Sequence, residues 1–296
     1  MVEFVNAKIN IGLNVVARRD DGYHELESIF YPVGIYNGTP ENPEPFCDVI
    51  EITPDEEKDN FVFSGNPIDC PIEKNLVFKA VQIFRYTLRE KGLKTTGNAF
   101  RISLDKHIPD GAGMGGGSAD ASFTLKLLNN LTGNPLSKEE LITVAKSIGA
   151  DCPFFIENMP AFVTGIGEKI EPIETVLKGH WAVIVKPDVY VSTKEAFAGI
   201  KPAASQNDLR EVIKKPVGEW EKAGIKNDFE KNIFAEHPLL SGIKESLYNY
   251  GALYSSMSGS GSAIYGLFDS RESAFSVFNR MRKEITENES VYLCRL

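Results

Sequence analysis

The chain has 296 residues, 42% hydrophobic and 25% charged, an ordinary globular balance that excludes disorder, collagen and coiled coil. Lys and Arg number 32 against 41 Asp and Glu, a net charge of −9, so the broad basic footprint of a non-specific nucleic-acid binder is missing. A local basic pocket for a small anion is still allowed.

At about 150 residues per domain, the length predicts two domains or one large one. Cys47, Cys70, Cys152 and Cys294 show neither a C-x-x-C pair nor the density of a secreted disulfide scaffold. Charged residues Glu3, Lys8, Arg18, Arg19 and Asp20 interrupt the first twenty positions, and the longest apolar runs fall far short of a membrane span. A cytoplasmic protein, monomer or homodimer, is expected.

Residues 3–17 alternate as a strand: Ala7, Ile9, Ile11, Leu13 and Val15 take one face, and Lys8, Asn10, Gly12 and Asn14 the other. A turn at 19–22 returns the chain as a partner strand over 23–33. Residues 38–46 are Pro-rich and acidic and read as an exposed loop. Strands are predicted at 47–53 and 60–64. A helix carries Leu76, Val77, Ala80, Val81, Phe84 and Leu88 and closes at Gly92, and a strand follows at 99–104.

A second helix leaves the glycine-rich stretch at 111–117 and stops at Gly133-Asn134-Pro135. Ser137 and Glu140 form a capping box opening a third helix, which Gly149 ends. Further on, strands are predicted at 181–186 and 262–268, and helices near 193–199, 207–213, 228–234 and 271–286. A soft domain boundary near residue 163 gives units 1–162 and 163–296.

The stretch Pro109, Asp110, Gly111, Ala112, Gly113, Met114, Gly115, Gly116, Gly117, Ser118 opens directly into a helix. Glycines let the backbone turn with positive φ and approach a ligand, and a helix start offers unpaired N–H groups; together they make a phosphate cradle. A Walker A loop fails, because its lysine position holds Gly117. A dinucleotide fingerprint matches literally at Gly111, Gly113 and Gly116, but residues 106–110 separate it from the preceding strand and a helix start occupies the place of the acidic strand end.

The same stretch resembles the phosphate loop of the GHMP kinase superfamily. Two more constellations in the same order extend the resemblance over nearly the whole chain: Lys8 within Ala7-Lys8-Ile9-Asn10, and the Gly/Ser loop 258–263 before a strand. The run 18–26 with Gly22-Tyr23-His24, the triple glycine 115–117, Gly149-Ala150-Asp151 before Pro153, Asn75-Leu76, and Asn227-Asp228-Phe229-Glu230 are similar to the branch that phosphorylates a CDP-linked methylerythritol.

The resemblance implies an α+β fold of two domains with the active site in the cleft between them. The N-terminal domain would be like ribosomal protein S5 domain 2, and the C-terminal one a ferredoxin-like α/β sandwich. It implies ATP-dependent phosphorylation of the 2-hydroxyl of CDP-methylerythritol in the non-mevalonate isoprenoid route, with ATP and Mg²⁺ as cofactors. The loop 109–118 with Asn75 and Lys106 would hold the nucleotide, Asn75 edging the adenine. Asp151 would be the general base, held extended by Pro153, with Lys8 beside it keeping it ionised and stabilising developing alkoxide charge. Asn10 would orient substrate hydroxyls. Tyr23 and His24 would serve the cytidine, Phe197 closing the ring from the other side and Thr193 bonding nearby.

Ser118 and Asp120 are candidates to approach Mg²⁺, although the sequence does not fix its ligands. Ala119 stands where the family usually has Ser, and Cys152 where Val is common. Another kinase of the superfamily (mevalonate, homoserine or sugar acceptor) and a non-catalytic nucleotide-binding module are the alternatives.

Overall fold

The computed structural model describes residues 1–34, 46–55, 57–68, 70–93, 99–286 and 288–296. In chain order the N-terminal part runs β1 (Val2–Arg18), β2 (His24–Val33), β3 (Cys47–Asp55), β4 (Asn60–Gly65), α1 (Leu76–Glu90), β5 (Ala99–Lys106), α2 (Gly116–Leu131), α3 (Lys138–Ile148), α4 (Cys152–Glu157), β6 (Ala161–Gly165) and β7 (Lys169–Pro172). The C-terminal part follows with β8 (Trp181–Lys186), α5 (Thr193–Phe197), α6 (Leu209–Val212), α7 (Glu230–Glu236), α8 (Pro238–Asn249), β9 (Tyr254–Met257), β10 (Ile264–Phe268), α9 (Arg271–Glu284) and β11 (Ser290–Arg295).

The expected α+β class holds. Among the described residues there are two sheets, one of seven strands in the order β4-β5-β3-β1-β2-β6-β7 and one of four in the order β11-β8-β10-β9. Because β6 and β7 hydrogen-bond into the first sheet, that sheet extends to Pro172, past the boundary read from the sequence near residue 163.

Strand β1 organises the molecule. Its alternation is the half-buried pattern read from the sequence, yet both of its faces are covered from Val5 to Val15. Ala7, Ile9 and Ile11 share an apolar cluster with Ile184 and Tyr265 of the smaller sheet. The other face, with Lys8 and Asn10, turns toward α2 and the site. The first half of β1 pairs with β3 and the second with β2, which sets Lys8 opposite Pro32 and Asn10 opposite Phe30. A register shift between Ile11 and Leu13 falls at Gly12, whose φ of 67° suits a bulge.

Helices α1 to α4 cover the outer face of the large sheet over a core that includes Ile50, Ile102, Val81, Leu125 and Phe154. Their boundaries follow local chemistry. Asn75 caps α1 by accepting from Val77 N, and Ser137 and Glu140 complete the capping box of α3.

Two expectations are corrected. Pro153 does not hold the chain extended: it sits in the first turn of α4, where a missing N–H costs no helical hydrogen bond. Phe46, at the end of the stretch expected to be exposed, is 1% exposed and packs on Tyr292; residues 38–45 of that stretch lie outside the described residues.

Candidate active site

Lys8 and Asp151 meet, as the sequence reading expects. Lys8 Nζ lies 3.4 Å from Asp151 Oδ2, with the Lys8 side chain buried and that of Asp151 29% exposed toward a cavity. Asp151 is the N-terminal cap residue of α4, but its side chain makes no capping bond, which leaves the carboxylate to face Lys8. Burial pulls the Lys8 pKa below the ordinary lysine value, and the charge of Asp151 opposes that shift. The Lys8 ammonium also donates to Asn10 Oδ1 and lies 4.5 Å from the centre of the Phe30 ring.

Asn10 lines the same cavity and is also bonded within the protein. Its Oδ1 accepts from Lys8 and its Nδ2 donates to Ser28 Oγ at 2.9 Å, while Ser28 donates to Gly12 O. Both ends of the amide are engaged within the protein, so Asn10 aims the Lys8 ammonium. Ser28 and Phe30 belong to this constellation; their position on β2, Phe30 opposite Asn10 and Ser28 opposite Leu13, appears only once β1 and β2 are registered.

The glycine loop wraps over this pair. Gly111, Gly113 and Gly115 take positive φ and α2 begins at Gly116, so the loop backbone enters a helix start, as a phosphate cradle requires. The side chains of Ala112 and Met114 are buried in the core and anchor the loop, and Met114 O accepts from Lys8 N at 3.0 Å. The second Gly/Ser loop braces the first. Ser258 Oγ donates to Gly113 O at 2.9 Å and accepts from Asn10 N at 3.2 Å, and a Cβ on Gly113 would lie 2.0 Å from Ser258 O. Asn227 in turn donates to Met257 O and Gly259 O, which gives the Asn227-Asp228-Phe229-Glu230 run a structural task.

Lys106, expected to reach the nucleotide from the end of its strand, is held between two carboxylates. It is 2% exposed and donates to Asp48 Oδ2 at 2.5 Å and Asp120 Oδ2 at 2.8 Å. Burial opposes its charge, but Asp120 and Asp48 outweigh burial and raise its pKa. Burial raises the Asp120 pKa well above the usual carboxylate range, with Lys106 opposing the shift and Asp48 adding to it, and Asp120 Oδ1 has no hydrogen-bond partner. Asp48 Oδ1 accepts from the backbone N–H of His107 at 2.5 Å and Ile108 at 2.7 Å, which fixes the entry to the glycine loop. Asp48 is fully buried in β3, where Glu51 of the same strand is exposed, a difference that the sequence alone does not show.

Beyond this triad lies a cavity of about 200 Å³ that Lys106 lines together with Asn75, Leu76, Asp110 and Gly117. Asn75 Oδ1 is engaged by its cap bond to Val77 N, and its amide N–H groups make no bond among the described residues.

At the opposite end of the cleft stand Tyr23, His24, Phe197 and Thr193. Tyr23 is 59% exposed. His24 and Phe197 stack directly, ring centres 4.7 Å apart and 16° from parallel, and Phe229 meets Phe197 edge-on at 4.8 Å. His24, expected at the edge of the base, therefore already touches Phe197, the ring expected to cover the face opposite Tyr23. Thr193 is the first residue of α5, whose start is fixed by the Ser192–Glu195 capping box.

Three cavities join these parts. The largest, about 760 Å³, contains Lys8, Asp151, Tyr23, His24 and Phe197. It shares Gly113, Gly115, Ser118, Thr193 and Ser260 with a cavity of about 310 Å³ over the glycine loop. That cavity shares Leu76, Asp110 and Gly117 with the one beside Asn75. The cleft thus runs from an aromatic end, past Lys8 and Asp151, over a phosphate cradle, to Asn75. Among the described residues no group of three or more His, Cys, Asp or Glu could hold a metal, and no helix is long and apolar enough to cross a membrane. Cys152, beside Asp151, is buried and its thiol is pushed up to about 11, so it is no nucleophile.

Residues 75–165 match the family model of the GHMP kinases N terminal domain, and residues 203–286 match that of the GHMP kinases C terminal. The chain belongs to the GHMP kinase family. Among relatives of this kinase, the 4-diphosphocytidyl-2-C-methyl-D-erythritol kinase of Parabacteroides distasonis is 47% identical over 269 residues, 91% of this chain and 92% of that protein. The protein of the same name from Porphyromonas gingivalis is 43% identical over 90% of this chain and 92% of its own length. A crystal structure of 4-(cytidine 5'-diphospho)-2C-methyl-D-erythritol kinase superposes with a TM-score of 0.78 at 27% identity, covering all of both chains. The homoserine kinase of Cytophaga hutchinsonii shares the fold, with a TM-score of 0.65 at 20% identity over 98% of this chain and 94% of that one.

Proposed function

We propose that this kinase transfers the γ-phosphoryl group of ATP to the 2-hydroxyl of 4-(cytidine 5'-diphospho)-2-C-methyl-D-erythritol. The observation that carries the reading is the placement of Lys8 and Asp151 where the aromatic end of the cleft meets the glycine loop. The names of the relatives supply the acceptor, and the His24–Phe197–Phe229 ring cluster is the chemistry a cytosine would engage by stacking.

Phosphoryl transfer asks a protein mainly for positioning and charge stabilisation. The N–H groups around Gly113 to Ser118 bind the phosphates, and the helix start favours their charge. Asp151 accepts a hydrogen bond from the acceptor hydroxyl, aligns its oxygen on the γ-phosphorus and takes up its proton as the bond forms. Lys8, buried and oriented by Asn10, stabilises negative charge on that oxygen and on the transferring group. Asp48, Lys106 and Asp120 brace the loop from behind. With no cluster of protein ligands among the described residues, a metal fits here as one carried on the triphosphate, with the Ser118 hydroxyl the protein group offered to it. Mg²⁺ would supply neutralisation of phosphate charge.

The test is ADP release in a coupled assay with Mg-ATP and three acceptors: CDP-methylerythritol, mevalonate and homoserine. Turnover with the first alone is expected. Turnover with either of the others and none with the first would overturn the acceptor assignment while keeping the kinase.

A further inference from the structure

We propose that a second cavity, about 540 Å³ and outside the catalytic cleft, binds a small organic phosphate carrying at least two negative charges. Its lining is drawn from two segments, within 199–207 and within 224–232, together with Asn14 of β1. The volume lies within the range of ordinary small-molecule sites.

The walls are tied together by amide side chains. Asn14 Nδ2 donates to Ser205 Oγ at 3.1 Å, Asn207 Nδ2 to Ala223 O at 2.9 Å and Asn232 Nδ2 to Ala198 O at 3.0 Å. The extended wall is hung on β1 by Ala203 N donating to Val15 O at 3.1 Å. The cavity is therefore held open before any ligand arrives, which lowers the ordering cost of binding.

Three lysines line the cavity, Lys201, Lys226 and Lys231, and the Glu27 carboxylate sits at its wall, where it accepts from the lining Ser205 Oγ. The carboxylate in the lining, Asp228, is engaged on both oxygens, by Val15 N at 2.9 Å and by Lys226 Nζ at 2.9 Å. Lys201 and Lys231 also line the cavity and make no ion pair among the described residues. Two uncompensated ammonium groups in one polar cavity, on a chain of net charge −9, mark a local anion site. Phosphate is the anion chosen because it can accept from both ammonium groups and from the side-chain amide donors around them, the Ser205 hydroxyl being spent on Glu27.

The cavity has no lining residue in common with the cleft, but its lining segments continue directly from the aromatic end. Gly199 and Ile200 follow directly on Phe197 and Ala198, and Lys231 and Asn232 follow on Phe229. A ligand drawing Lys201 and Lys231 together acts on the two segments that carry the Phe197–Phe229 contact. Occupancy of this cavity then changes affinity for the cytidine substrate, and the substrate changes affinity here by the same factor. The coupling, unlike the site itself, rests on the cytidine reading above.

The probe is inorganic pyrophosphate, titrated calorimetrically into the full chain with free Mg²⁺ held constant and the nucleotide site saturated with adenylyl imidodiphosphate. One site with a Kd below about 1 mM is expected in the wild type, weakened about tenfold or more in K201Q/K231Q. Basal turnover of that double variant should stay within about twofold of wild type, since neither lysine lines the catalytic cleft. No binding, or equal binding in both proteins, would overturn the site, the latter placing pyrophosphate elsewhere. In steady-state assays at saturating ATP, pyrophosphate should shift the KM for CDP-methylerythritol about threefold in the wild type and leave the double variant unmoved. Binding without that shift would overturn the coupling.

Discussion

Removing Asp48 should destabilise the fold far more than neutralising Asp120, although the two carboxylates flank the same ammonium. Asp48→Ala strips the acceptor from three donors: Lys106 Nζ, His107 N and Ile108 N. Each buried donor left without a partner costs about 1–3 kcal/mol. Lys106 keeps Asp120, and some relaxation is expected, so the total should be about 4 kcal/mol, within the range seen on breaking a buried ion pair. Asp120→Asn keeps an oxygen for Lys106 and removes the second negative charge from a buried site whose Oδ1 has no partner. Its cost should be within about 1 kcal/mol of zero.

The pH dependence separates the two further. A carboxyl whose native pKa is raised loses stability as pH rises from its unfolded value through its native value. The Asp120 carboxyl is shifted in that direction, so the stability of Asp120→Asn relative to wild type should increase over that window. Urea unfolding at a series of pH values reads both effects. Asp48→Ala within about 1 kcal/mol of wild type, or Asp120→Asn the more damaging of the two, would refute the bracing role assigned to Asp48.

Other expectations are as direct. Asp151→Asn and Lys8→Met should each lower kcat by about 10²–10⁴, with the KM for ATP moved less than about threefold, as steady-state kinetics will show. Phe197→Ala removes both the His24 stack and the Phe229 edge contact, and should raise the KM for CDP-methylerythritol about five- to tenfold while sparing the KM for ATP. If the charged Lys8 is the form that works, kcat should fall on the alkaline side with an apparent pKa below the ordinary lysine value, because burial lowers it. A profile flat to pH 10.5 would contradict this. Gly113→Ala should weaken ATP binding, since its Cβ would lie 2.0 Å from Ser258 O at a φ of 72°, and an unchanged KM for ATP would count against the two-loop contact.

Much of this molecule was legible from local pattern. The alternation of β1 put Lys8 and Asn10 on one face before any partner was known, and the Ser137–Glu140 box marked the start of α3. Helix α4 is not legible in the sequence because a proline after Asp151 reads as extended chain, whereas its place here is the first helical turn. Helix α8 was missed although Leu240, Ile243 and Leu247 repeat at helical spacing, with Pro238 at its start. The strands β7 and β9, four residues each, are too short for a period to emerge, and sheet pairing decides them.

In the site, the residues set by motif met as expected, whereas the tasks of Asn10 and Lys106 depend on partners distant in sequence. Lys106 finds Asp48 across 58 positions, and Asn10 N finds Ser258 across 248. No local spacing encodes such pairs.

The most direct test of the central claim is phosphorus-31 NMR of wild type and Asp151→Asn incubated side by side with Mg-ATP and CDP-methylerythritol. The wild type should convert ATP to ADP with a matching new phosphomonoester signal, and the variant should bind ATP and give almost none. ADP without the phosphomonoester in the wild type, or product from the variant at the wild-type rate, would contradict the assignment of Lys8 and Asp151 to phosphoryl transfer.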